Sequence, residues 1–223
     1  MMRMNRHIRS FLIMVGMHIA DRVEGGTLRN IERHPQLPED TLSWREVDAS
    51  LCEWFCAASA INRKVNRWNL HKYGGFSKWN PMGGELSRMM FASSWNIFSR
   101  RELIETIQDM SEQMREVMEE QVDMPKYAMV WQLQRLIQIS SSGYIAGYLT
   151  LREALNTSFA AGKRLQQVVG SWDELAEGYV TAYNEFMDEE GAQLRAEAYQ
   201  QMKLDSSNPC ALVPFRLKLC KTW

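Results

Sequence analysis

A chain of 223 residues, 45% hydrophobic and 24% charged, is long enough for one substantial core and too apolar for wholesale disorder. Its 26 lysines and arginines against 27 aspartates and glutamates leave a formal net charge of −1. That balance excludes a global pull on nucleic acid or an anionic membrane, so either partner would need a local patch. Four cysteines, at positions 52, 56, 210 and 220, do not make a disulfide scaffold. A reducing cytoplasm is the expected compartment, with export and a Cys210–Cys220 bridge as the alternative.

In chain order, Arg3, Arg6 and Arg9 precede the apolar run from Phe11 to Met17. Signal peptides share that outline, but His18 and Asp21 break the run and no small-residue pair marks a cleavage site. The stretch 1–42 therefore reads as an N-terminal helix followed by a loop rich in Gly and Pro, with an interfacial anchor as the minor alternative. Ser43 with Glu46 three residues on is a capping box, which predicts a helix through Val47, Leu51, Trp54, Phe55, Ala58 and Ile61. Cys52 and Cys56 share one of its faces; without further ligands at suitable spacing they read as small core residues, and no metal or other cofactor is expected.

The segment from Arg67 to Gly84 combines Trp68, Tyr73, Phe76 and Trp79 with four cations, two glycine pairs and no acid. It reads as a long aromatic loop laid over the helical body, the alternative being a platform that stacks single-stranded bases. His71, Lys72 and Tyr73 within it are the one cluster with acid–base potential, and they lack an evident partner.

Ser99 and Glu102 form a second capping box, and Leu103, Ile107, Met110, Met114 and Val117 make the apolar seam of the helix it opens. Beside that seam Glu105, Asp109, Glu112, Glu116, Glu119, Glu120 and Asp123 form an acidic ridge. It is either a solvated face or a docking surface for a basic protein. A di-metal carboxylate site is not expected, for want of a Glu-x-x-His motif.

Pro125 starts another helix, apolar on more than one side and so expected at the centre of the fold. Arg135 lies one turn after Trp131, placed to stack on its ring or to pair with a carboxylate. Trp131, Arg135, Tyr144, Tyr148 and Trp172 are the candidate lining of a small-molecule pocket. Thr150 with Glu153, and Ser171 with Glu174, are capping boxes for two amphipathic helices. A further helix passes through Leu194, Ala198, Tyr199 and Met202; then Ser206 to Pro209 signals a turn, and Pro214 makes the last stretch an extended arm rather than a central strand.

The succession Trp131, Arg135, Gly143-Tyr144, Gly147-Tyr148-Leu149, Glu153-Ala154, Ser171-Trp172-Asp173-Glu174 and Tyr179 resembles the signature of a bacterial family called domain of unknown function 1266. Trp95-Asn96-Ile97 and the block from Ser99 to Ile104 are similar to that family's preceding segment, so the resemblance runs from about Phe91 to Phe186. In the family an acidic residue usually follows the tryptophan; here it is Gln132. The resemblance implies a helical protein and carries no catalytic residue with it.

The expected architecture is an all-α, single-domain, bundle-like fold: N-terminal helix and loop over 1–42, helical domain over 43–205, C-terminal arm over 206–223. With no catalytic constellation in view, the leading functional expectation is a protein–protein interaction module. It would present Glu105, Asp109, Glu112, Glu116 and Glu120 to a basic toxin or effector, as an immunity or adaptor protein does. The alternatives are an enzyme or small-ligand binder with a pocket at Arg135, or a secreted effector.

Overall fold

A computed structural model describes residues 30–120 and 123–223; the expected N-terminal helix lies outside the described residues. Among these, every regular element is helical: α1 (Ala49–Ala58), α2 (Ala60–Val65), α3 (Pro81–Trp95), α4 (Arg100–Glu119), α5 (Lys126–Ala146), α6 (Leu151–Val168), α7 (Trp172–Phe186), α8 (Glu189–Lys203) and α9 (Pro209–Leu212), with 3-10 turns at Trp44–Glu46 and Tyr73–Gly75.

The centre is α5. Its apolar positions run all round the helix, and Val130, Leu133, Leu136, Ile137 and Ile139 are fully buried, which requires neighbours on every side. Those neighbours are α3, α4, α6, α7 and the Tyr73–Gly75 turn. Small residues permit the close approach. At Gly143 an added Cβ would sit 2.6 Å from Leu103 Cδ2, so the seam of α4 packs directly on the α5 backbone. That seam is the expected one, with Leu103, Ile107, Met110, Met114 and Val117 all buried.

Local signals set the helix starts. The Ser99–Glu102 and Thr150–Glu153 boxes are closed in both directions. At α7 the box is only half made: Ser171 Oγ accepts from the Glu174 N–H at 3.1 Å, but the Glu174 carboxylate accepts from Gly170 N–H at 3.2 Å and Lys126 Nζ at 2.7 Å. A cation across the gap at the start of α5 draws it away from the cap. The Ser43–Glu46 pair opens only a 3-10 turn. Asp48, whose carboxylate accepts from Leu51 N–H at 2.9 Å, caps α1 instead, and the helix expected from Val47 to Ile61 breaks at Ser59 into α1 and α2.

The C-terminal arm packs across its own body. Trp54 Nε1 donates to Phe215 O and Trp172 Nε1 to Val213 O, each at 2.9 Å, while Phe215 meets the Trp172 ring edge-on at 4.8 Å. Two indole N–H groups that would otherwise be orphaned in the core are satisfied by the arm's backbone. The aromatic loop is likewise engaged. Trp68 packs on Phe76 at 5.2 Å, Tyr73 is buried with its hydroxyl 2.7 Å from Ser158 Oγ, and His71 Nδ1 lies 2.6 Å from Glu53 Oε1. Lys78 and Arg88 donate to Tyr144 O and Ala146 O, placing cations on the carbonyl end of α5. No helix among the described residues is long and apolar enough to cross a membrane.

Candidate functional site

One face of α5 opens into a cavity of about 310 Å³. Trp131, Arg135 and Gln138 stand on it at spacings of four and three, which places them on one helix face. The remaining walls are Asn62, Asn66 and Trp68 at and after α2, Met90, Ser94 and Trp95 on α3, Tyr179, Tyr183 and Met187 at the end of α7, and Arg195 on α8.

The two arginines define the site. Arg135 is 6% exposed and Arg195 is 9% exposed. The Arg135 guanidinium lies 4.2 Å from the Trp95 ring centroid and 5.3 Å from that of Trp131; Trp131 in turn stacks on Tyr179 at 5.3 Å and 23°. Arg195 sits 3.6 Å over the Tyr183 ring and donates to Gly191 O at 3.0 Å, Asn62 Oδ1 at 3.3 Å and Tyr179 Oη at 3.4 Å. Ring faces thus lie against both cations, which gain from the negative face of each ring. Burial pushes the Arg135 guanidinium down to about 10, against the favourable field of the neighbouring Tyr179. Burial also holds the Tyr179 phenol above its ordinary value.

The sequence-predicted pocket residues are not all brought together. Trp131 and Arg135 line the cavity. Tyr144 faces a different depression, where Trp44 Nε1 donates to its hydroxyl at 3.1 Å and Lys78 lies over its ring. Tyr148 is fully buried and donates to Phe98 O at 3.0 Å, and Trp172 belongs to the core beneath the C-terminal arm. Arg195, Trp95 and the α7 tyrosines take part instead. The signal for Arg195 was present: Ala192, Arg195, Tyr199 and Met202 share one helix face, and all are buried, so an arginine stands at an apolar position. Leu194, beside it, is 49% exposed. Gln132 is buried, and its amide has no hydrogen-bond partner among the described residues.

The acidic ridge is exposed as a whole. Glu105, Asp109, Glu112, Glu116 and Glu120 all face solvent on α4 and its C-cap. Arg115 is clamped between Glu112 at 2.6 Å and Glu119 at 2.7 Å, and Arg101 pairs with Glu105 at 3.4 Å. The hydrogen bond from Arg115 holds the Glu112 carboxyl below its ordinary range.

Among the described residues no group of three or more His, Cys, Asp or Glu stands together as a metal site. All four cysteines are free; Cys56 is buried, as a small apolar residue would be, and Cys52 is half-buried.

No curated protein and no solved structure matches the chain. Residues 112–208 match the model of the family described as Protein of unknown function (DUF1266), a span shifted toward the C-terminus from the resemblance seen in the sequence; the matched span contains Trp131, Arg135, Tyr179, Tyr183 and Arg195.

Proposed function

We propose that this protein binds a small molecule in the cavity at Arg135 and Arg195. The observation that carries the reading is the concentration of two guanidiniums, each more than nine-tenths buried, on a concave aromatic site between five helices. Cavities of this size between helices, mostly apolar with a few convergent polar groups, are the usual form of a ligand site. Binding is favoured over turnover because the lining, among the described residues, holds no carboxylate, imidazole, thiol or amine to act as a general base. A fragment screen followed by the indole N–H signals of a nitrogen-15-labelled sample tests it. Ligands should shift Trp95 and Trp131 together and leave Trp44 and Trp79 in place; hits that scatter over the surface, or no saturable hit, would remove the reading.

The exposed acidic face of α4 supports a second reading, docking of a basic partner protein in the manner of an immunity or adaptor protein. What favours it is the placement of five acidic side chains on one solvent-facing surface.

A further inference from the structure

We infer that the ligand of the cavity is a small organic oxyanion carried on a flat apolar body, with Arg195 as its principal anchor; this rests on the reading of the cavity as a ligand site. The charge of the lining gives the first half of the argument. Among the described residues the lining contains no aspartate or glutamate to pair with Arg195. Arg195 is buried, yet the groups it bonds, Gly191 O, Asn62 Oδ1 and Tyr179 Oη, are all neutral. Withdrawing a guanidinium from water costs several kcal/mol, and dipoles repay less of that than an opposite charge does. An oxyanion entering the cavity would supply the missing charge, and the forked N–H edge of a guanidinium matches carboxylate and phosphate oxygens in pairs.

Geometry supplies the second half. Arg195 lies 3.6 Å over the Tyr183 ring, and its three hydrogen bonds, one each from Nε, Nη1 and Nη2, take three of five N–H groups, so one remains on each terminal nitrogen of a tethered fork. Asn66 and Ser94 are neutral polar groups on the same lining, and Trp68, Met90 and Met187 give it an apolar wall. A cavity of about 310 Å³ lies at the small end of ligand sites, which suits one or two fused rings and excludes a nucleotide-sized molecule. Thioether side chains adapt to flat aromatic surfaces, so Met90 and Met187 are suited to the ring.

The test is calorimetry at low salt with three probes: indole, indole-3-acetate and inorganic phosphate. Indole-3-acetate should bind at least tenfold more tightly than either of the others. Arg195→Met should erase that preference while leaving the affinity for indole within threefold. Because Arg195 also ties α8 to α7 and α2, Asn66→Asp serves as the second variant: it places an isosteric negative charge at an exposed part of the lining, and should weaken indole-3-acetate at least tenfold more than it weakens indole. Equal affinity of indole and indole-3-acetate would overturn the oxyanion assignment while the cavity remained a ligand site. Phosphate binding as tightly as indole-3-acetate would overturn the flat body. If none of the three bound and the fragment screen also left Trp95 and Trp131 unmoved, both this inference and the ligand site would fall.

Discussion

The guanidinium of Arg135 lies 4.2 Å from the ring centroid of Trp95, so a cation on the central helix rests against α3 as well as against Trp131 of its own helix. A stacked, desolvated guanidinium gains roughly 0.5–2 kcal/mol from such a ring face. Trp95→Leu keeps an apolar side chain and removes the face. We expect it to lower stability by about 1–2 kcal/mol, with the lost packing included, as read from the urea midpoint. An unchanged midpoint would show that the Trp95 face contributes nothing to holding the cation.

Gly74 carries the aromatic loop against the centre of the molecule. Its φ is +75°, and a Cβ there would press on the Ile145 side chain and lie 2.6 Å from the backbone oxygen of Ser141. Backbone of the central helix cannot yield as a flexible side chain can. Gly74→Ala is expected to destabilise by at least about 1–3 kcal/mol and to raise the exposure of Tyr73. Near-ultraviolet circular dichroism and a thermal melt check both, and a melt within a degree of wild type would refute the close approach.

These two residues also show what the sequence could and could not disclose. The helix starts at Ser99, Thr150 and Pro125, the buried seam of α4 and the centrality of α5 were all legible, because each depends on local capping or on periodicity within one helix. The break at Ser59 and the half-made cap at Ser171 were not, since the second depends on Lys126 arriving from another helix. The pocket was legible only on α5, where Trp131 and Arg135 lie one turn apart. Trp95, Tyr183 and Arg195 join it through the packing of α3, α7 and α8. Tyr144 and Tyr148 have the same helical spacing as pocket residues, yet Tyr144 turns from the last turn of α5 into a different depression and Tyr148 falls just past the end of the helix at Gly147.

The acidic face gives an independent prediction. Glu112 and Glu116 are exposed on α4, and exposed substitutions away from special backbone usually change stability by less than about 0.5 kcal/mol. Glu112→Lys with Glu116→Lys should therefore leave the melting temperature nearly unchanged. If the face docks a basic protein, wild-type bait should recover one stoichiometric basic partner from cell extract, released by raised salt, and the double variant should lose it. Equal recovery by both would remove the ridge as the docking surface.

Acid should loosen the start of α6. The Glu153 carboxyl is held below its ordinary value of 4.5: burial alone would raise it, but hydrogen bonds and charge from Arg100, with the Thr150 N–H, outweigh that. The contacts are close, 3.0 and 2.8 Å from Arg100 and 2.8 Å from the Thr150 N–H. Asp40 is lowered as well: burial again opposes, and the N–H groups of Arg152 and Leu42 prevail. For a carboxyl whose folded value is depressed, the unfolded chain binds the proton more readily. The stabilisation is thus present in full above the unfolded value and is lost as pH falls through the folded one. Glu153→Gln removes the charge and keeps an acceptor for the cap, so it should cost about 1–2 kcal/mol at pH 7, after allowance for the third of the side chain left to solvent. The same comparison at pH 3 should show a smaller gap, because below the ordinary value of 4.5 the unfolded wild-type chain takes up a proton more readily than the folded one. Urea titrations of both proteins at the two pH values measure the difference, and a gap that stays constant would mean that the Arg100–Glu153 pair carries no charge-dependent stability.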